Sequence, residues 1–169
     1  MVHHARVVIL VGVSGSGKTT IGQLLAKNLH WQFYDGDHFH RKANVDKMGQ
    51  GIALIDEDRA SWIESLRNLI EDLIRQRQAA VITCSALKQT YRNRLVGNRN
   101  EVVFVYLKGS YDLTRQRLLS RKDHFMKADL LPSQFATLEE PKGVLAIDVA
   151  QDPDVIVEKI KQEFGLSGI

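Results

Sequence analysis

Two stretches of this 169-residue chain carry residue types at spacings that could do chemistry. The first is GVSGSGKTT, in which Gly12 to Thr19 fit G-x-x-x-x-G-K-[S/T] without a mismatch. Glycines at 12, 15 and 17 let a backbone wrap closely around phosphate oxygens with its N–H groups turned inward, and a helix starting near Lys18 aims its positive end at the same anions. Lys18 then reaches the β- and γ-phosphates and the Thr19 hydroxyl ligates magnesium. The nucleotide-contacting set is Gly12, Val13, Ser14, Gly15, Ser16, Gly17, Lys18, Thr19 and Thr20. The second stretch, WQFYDGDHFHRKAN, places Asp35, Asp37, His38 and His40 within six residues after an apolar run. Three readings compete for it. Zinc is disfavoured, because no Cys-x-x-Cys or His-Glu-x-x-His frame completes a tetrahedron. A solvated loop whose aspartates cap the next helix is the bland reading. The third faces both carboxylates toward the phosphate loop: Asp35 holds magnesium through water and Asp37 accepts a substrate hydroxyl proton, the two projecting to one side because they lie two apart in an extended chain.

These residues need a scaffold, and the hydrophobic pattern supplies one. Short runs rich in branched and aromatic residues occur at 6–12, 31–35, 79–84, 101–109 and 144–149, as expected of buried parallel strands. Between them lie helical stripes. Ile21, Leu24, Leu25 and Leu29 follow the glycine-rich loop, and Ile63, Leu66, Ile70, Leu73 and Ile74 follow the acidic start Asp56-Glu57-Asp58. Asp152-Pro153 reads as a cap and first-turn proline before Ile156, Ile160 and Phe164. The prediction is an α/β, three-layer fold: a five-stranded parallel sheet, helices on both faces, and ligands at the carboxyl ends of the strands. The whole chain, 1–169, reads as one domain.

Composition narrows the function classes. Twenty-three Lys plus Arg against twenty Asp plus Glu leave a formal charge of +3, so no nucleic-acid partner is expected, although local basic clusters suit an anion site. One cysteine, Cys84, excludes an intrachain disulfide and reads as a small buried strand-end residue. No apolar run reaches membrane-span length and the N-terminus lacks the arrangement of a signal peptide, so the expected protein is cytoplasmic with no membrane partner. The Asn-Lys-x-Asp segment of a Ras-like GTPase is missing, and the third strand ends in Cys84-Ser85 rather than the Asp-Glu of many motors. A small phosphotransferase fits best.

The order of further blocks sharpens this. GVSGSGKTT, then DGDHFHRKANVDKMGQGIALIDEDRASWI, TCSALKQTYRNRL, FVYLKG and RKDHFMKADLLPSQFATLEEP resemble the gluconate kinases, a branch of the shikimate- and adenylate-kinase-like P-loop proteins, over roughly residues 6–141. Arg41 and Ala53 stand where those kinases commonly have proline. The resemblance implies Mg²⁺- and ATP-dependent phosphorylation of D-gluconate on its 6-hydroxyl, by a homodimer. Shikimate or a nucleotide as acceptor, and a non-catalytic ATP-binding module, are the alternatives. A carboxylate substrate needs a cationic clamp, for which Arg59, Lys88 and Arg92 are the candidates, Lys88 and Arg92 lying four apart on one helical face. His40 and Asn44 are placed to bond sugar hydroxyls, and Trp62 to pack its helix on the loop carrying Asp37. A lid is expected at about 118–141, with Arg117 and Arg121 facing the phosphates to stabilise transferring charge as 122–132 close. Asp148 is expected in an adenine-loop or capping role.

Overall fold

The computed structural model describes residues 5–121 and 130–167. In chain order these form β1 (Val7–Val11), α1 (Lys18–Leu29), β2 (Gln32–Asp35), a 3-10 turn (Gly36–Phe39), α2 (Lys42–Gly49), α3 (Asp56–Arg75), β3 (Ala80–Cys84), α4 (Gln89–Val96), β4 (Val102–Lys108), α5 (Tyr111–Ser120), α6 (Leu131–Thr137), β5 (Leu145–Asp148) and α7 (Pro153–Phe164). The five strands lie in the order β2-β3-β1-β4-β5, and every pairing is parallel. Each strand falls within one or two residues of its hydrophobic run.

Strand alternation sorts β1 between two cores. Val7, Ile9 and Val11 face one layer with Ile63, Leu66 and Ile70 of α3 and Leu95 of α4. Val8 and Leu10 face the other, with Ile21, Leu25 and Leu29 of α1 and Ile156 and Ile160 of α7. Burial on both sides explains why β1 and β3 are apolar runs rather than alternating strands. Each fully buried Leu or Ile contributes roughly 1.5–3 kcal/mol, so these layers hold α1 and α3 on opposite faces of the sheet.

Helix starts follow the capping chemistry of the sequence. Asp58 Oδ2 accepts from the Ile55 N–H at 3.1 Å, closing the start of α3. Asp152 accepts from the Asp154 N–H at 3.1 Å ahead of Pro153 at the start of α7. Ser110 Oγ accepts from the Leu113 N–H at 3.2 Å at the start of α5. From β1 the chain crosses to β2 and β3 on one side and later to β4 and β5 on the other, so the loop after β1 opens at the switch point of the sheet.

Candidate active site

The loop between β1 and α1 is shaped by backbone that side chains could not follow. Gly15 has φ +80°, and a Cβ there would lie 2.5 Å from the Thr114 carbonyl of α5. Lys18 Nζ reaches back across the loop to donate to the Gly12 and Val13 carbonyls, both at 2.9 Å. Burial lowers the pKa of this ammonium, while the charges of Asp37, Cys84 and Asp35 oppose the shift. Ser16 Oγ is buried with no hydrogen-bond partner among the described residues. A cationic side chain lying across a cradle of turned backbone suits a polyphosphate.

Beside it, Ser14, Gly15, Gly17, Lys18, Thr19, Asp35, Asp37, Thr83, Cys84 and Arg121 line one polar cleft. Asp35 and Asp37 do meet on one side, but not through an extended strand. Strand β2 ends at Asp35 and the chain tightens into a 3-10 turn, with Asp35 Oδ1 accepting from the Asp37 N–H at 3.0 Å. Gly36 makes the turn possible, since a Cβ there would sit 2.1 Å from the Thr83 carbonyl. Thr83 Oγ1 lies 3.4 Å from Asp35 Oδ1, and Trp62 Nε1 of α3 donates to the Gly36 carbonyl at 2.8 Å. Trp62 thus packs on the loop carrying Asp37, as its position predicts. Thr19 and Asp35 offer a hydroxyl and a carboxylate in this cleft, hard oxygen donors that suit Mg²⁺. Cys84 closes the floor; burial, helped by the Asp37 charge, pushes its thiol up to about 12.

A second cleft runs along the other side of the loop, between Ser16, Gly17, Thr20, Ile21, Arg117, Arg121, Val149, Gln151, Pro153 and Ile156. Its apolar wall and its continuity with the loop suit a nucleobase and ribose. Arg117 has a structural role here. Its guanidinium donates to the Ser16 carbonyl at 3.2 Å and to the Val149 carbonyl at 2.9 Å, so it braces the loop against the segment after β5, a role the sequence reading did not include. Arg121, the residue capping the C-terminus of α5, lines both clefts. Asp148 closes the turn after β5, accepting from the Ala150 N–H at 2.9 Å.

A third pocket is lined by His40, Met48, Ala53, Leu54, Arg59, Trp62, Ser85, Ala86, Leu87, Tyr91, Leu130, Ser133 and Gln134. The His40 ring stacks on Trp62 with centroids 4.3 Å apart. Burial, reinforced by the Arg59 charge, lowers the His40 pKa to about 4, leaving a neutral imidazole at pH 7. Asn44 is buried and donates to the Asp58 carbonyl at 2.7 Å, tying α2 to α3. It lies 3.5 Å from His40 Nδ1 and is a brace for the pocket wall rather than part of its lining.

The three proposed clamp cations separate. Arg59 lines the pocket, its guanidinium carbon 5.9 Å from the Tyr91 ring centre. Lys88 sits just before α4 and pairs with Asp56, Nζ to Oδ1 at 2.8 Å and to Oδ2 at 3.1 Å, while the Tyr91 hydroxyl bonds the same carboxylate. This bonding raises the Lys88 pKa and lowers that of Asp56. Arg92 turns inward at 2% exposure, donating to the Ala86 carbonyl at 2.7 Å, the Glu139 carbonyl at 2.6 Å and Gln89 Oε1 at 3.0 Å. The shared helical face expected of Lys88 and Arg92 does not form. Ala86 has φ +33°, and the irregular chain after β3 leaves carbonyls pointing inward that need donors.

Sequence reading missed Tyr91, one helical turn beyond Lys88, and Gln134, which contacts the phosphate loop from α6. Tyr91 carries a signal, an aromatic amid basic residues at the head of a helix. Gln134 carries none that is local. The lid expectation for 122–129 lies outside the described residues; α6, which follows, packs Leu131 against Val13, Leu87 and Leu118.

Comparison with known proteins bears on the fold and the family. Residues 14–141 match the shikimate kinase family model. The chain is 41% identical to the gluconokinase of Gluconobacter oxydans, covering 94% of this chain and 91% of that one. It is 39% identical to the thermoresistant gluconokinase of Escherichia coli, covering 92% and 91%. The crystal structure of a gluconokinase from Sinorhizobium meliloti superposes with a TM-score of 0.83 at 36% identity, covering 98% of this chain and 94% of that one. A five-stranded parallel sheet in the order 2-3-1-4-5, a phosphate loop at its switch point and near-full-length identity of this order converge on one assignment: the chain belongs to the gluconokinase family of shikimate-kinase-like P-loop kinases.

Proposed function

We infer that the protein is an ATP:D-gluconate 6-phosphotransferase, forming 6-phospho-D-gluconate and ADP. The observation that supports this reading is the lining of three pockets, one of them a polar cleft that shares Gly17 and Arg121 with its neighbour along α7. The cleft with Lys18, Thr19, Asp35 and Asp37 suits phosphoryl transfer, the one along Val149 to Ile156 suits a nucleotide, and the one with Arg59 and His40 suits a polar carboxylate acceptor. ATP lies with its base along Val149 to Ile156 and its phosphates in the loop. Gluconate lies against Arg59, His40 and Tyr91, with its carboxylate toward Arg59 and its far hydroxyl toward Asp37.

Asp37 takes the hydroxyl proton as the acceptor oxygen forms its bond to the γ-phosphorus; the bond to the bridging oxygen of ADP breaks in the same displacement. Lys18 and Arg121 stabilise the charge on the transferring group. Thr19 directly, and Asp35 through water, would hold Mg²⁺, which neutralises phosphate charge when bound. Arg117 serves by holding the loop. Of the clamp, Arg59 is the direct carboxylate partner. Lys88 supports it from a pair with Asp56, and Arg92 holds the pocket wall.

Closure of a lid at about 118–141 and assembly as a homodimer belong to the same reading and follow the family resemblance, while one domain over 1–169 rests on length and composition, and residence in the cytoplasm is the default reading of the sequence. No helix among the described residues is long and apolar enough to cross a membrane. The test is ADP formation from ATP and Mg²⁺ across a panel of gluconate, glucose, shikimate and nucleoside monophosphates. Turnover is expected with gluconate. Equal or faster turnover with shikimate or a nucleotide would replace the acceptor, and no acceptor-dependent ADP with any of them would leave an ATP-binding module.

A further inference from the structure

The phosphate loop and the acceptor pocket are joined by a contact that neither role accounts for. Gln134 lies on α6, whose N-terminal part forms a wall of the acceptor pocket through Leu130, Ser133 and Gln134. Its side-chain amide reads Ser14 of the phosphate loop at two points. Oε1 accepts from the Ser14 backbone N–H at 2.7 Å, and Nε2 donates to Ser14 Oγ at 3.1 Å. Both residues are 6% exposed. Only one orientation of the amide serves, since a backbone N–H requires the oxygen opposite it. Ser14 itself lines the polar cleft with Lys18 and Asp37.

The helix that carries Gln134 is anchored independently at its other end. The Glu139 N–H donates to the Leu87 carbonyl at 2.8 Å, and Arg92 holds the Glu139 carbonyl. Leu131 packs on Val13, the neighbour of Ser14. A shift of α6 on acceptor binding would therefore be passed to the loop at Ser14 through two short, buried, direction-specific bonds. An apolar contact alone would let the helix slide. A bidentate amide fixes register, and displacements of about 1 Å at a reacting centre can cost on the order of 100-fold in rate.

We propose that Gln134 is a positioning residue that couples acceptor binding to the geometry of the phosphate loop through Ser14. This rests on gluconate being the acceptor. Gluconate should then tighten binding of a non-hydrolysable ATP analogue, by about 5-fold or more as two coupled sites do, and the analogue should tighten gluconate by the same factor.

The experiment measures analogue affinity with and without saturating gluconate in the full-length protein, alongside steady-state kinetics. In Gln134→Met the coupling factor is expected to fall toward one and kcat to drop at least ~10-fold. Analogue affinity without gluconate should stay within about 3-fold, a split that a general loss of fold would not produce. Ser14→Ala keeps the N–H but removes the hydroxyl acceptor; it should lose part of the coupling, and the double variant should be no worse than Gln134→Met alone. If Gln134→Met does not fold, Ser14→Ala decides by the same coupling factor. An unchanged factor in the folded variants, or no coupling in an unmodified protein that turns over gluconate, overturns the proposal. Absence of turnover with gluconate overturns instead the acceptor assignment on which it rests.

Discussion

The two ends of the reaction site are built by different means. The phosphate end is a contiguous loop, Gly12 to Thr19, whose chemistry is mostly backbone and helix N-terminus. The proposed acceptor end is assembled from side chains on the turn after β2, on α2, α3 and α4, and on α6, which lie up to about a hundred residues apart in the chain. A backbone cradle tolerates little variation in glycine and lysine but says nothing of the acceptor. A side-chain pocket defines the acceptor, and its members have partners whose identities decide their roles. Substitutions at the two ends should therefore fail differently, the first in rate with every acceptor and the second in choice among them.

The largest effects belong to the polar cleft, where phosphoryl transfer is proposed. Asp37→Asn should lower kcat on the order of 1,000-fold, as loss of a general base does, with modest change in ATP affinity. Lys18→Met should cost at least ~100-fold in kcat with the fold retained. Stopped turnover assays with matched nucleotide-binding measurements check both. Activity within a few-fold of the unmodified protein would remove the residue from the chemistry. Asp35→Asn should instead raise the Mg²⁺ concentration needed for half-maximal rate, and an identical Mg²⁺ response in the Asp35 and Asp37 variants would defeat the division of labour.

A smaller pair of effects separates the basic residues of the acceptor end. Arg92→Met leaves the inward Ala86 and Glu139 carbonyls without their donor, and should destabilise the fold by roughly 2–3 kcal/mol through unsatisfied buried groups. Lys88→Ala breaks an exposed pair with Asp56 and should alter gluconate KM by less than about 5-fold. Thermal melts and kinetics on the two variants test this. A Lys88 effect larger than that of Arg59→Ala would restore Lys88 as the main carboxylate partner.

Two pH-linked effects are smaller again. His40 has its folded pKa lowered to about 4 from an ordinary 6.5, so between these values the unfolded chain binds the extra proton. Its contribution to stability is present above pH 6.5 and is lost as pH falls toward 4. His40→Gln should flatten the loss of melting temperature over that window, and an unchanged slope would contradict the burial of a neutral ring. Cys84, pushed up to about 12, should resist iodoacetamide at pH 8 until the protein is unfolded. Rapid modification of the native protein would show an accessible thiolate.

How much of this was legible in the sequence follows the same division. The strands and the phosphate loop are local patterns, apolar runs and a glycine-lysine spacing, and they appear within one or two residues of where they were expected. Asp35 and Asp37 were also legible as a pair, though strand alternation was the wrong reason: Gly36 permits a tight turn that brings them together. The cations were less so. Arg59, Lys88 and Arg92 look alike in a sequence, and what separates them is the company they keep: Tyr91 for Arg59, Asp56 for Lys88, and two backbone carbonyls for Arg92. Arg117 was assigned to the phosphates for its place near Arg121, and its bonds to carbonyls 101 and 32 residues away were not legible in the sequence. Gln134 reaches Ser14 across 120 residues, a contact that only the folded sheet creates.

The central claim is that this acceptor end reads a carboxylate through Arg59, and it is tested most directly by the ratio of kcat/KM for gluconate to that for glucose, measured in the unmodified protein and in Arg59→Ala. Glucose offers a comparable hydroxyl but leaves Arg59 without its anionic partner, so the unmodified protein should prefer gluconate by ~100-fold or more. In Arg59→Ala the preference should shrink by at least ~10-fold through loss of gluconate use, with ATP affinity little changed. Equal use of the two acceptors by the unmodified protein, or a preference that survives Arg59→Ala intact, would contradict the claim.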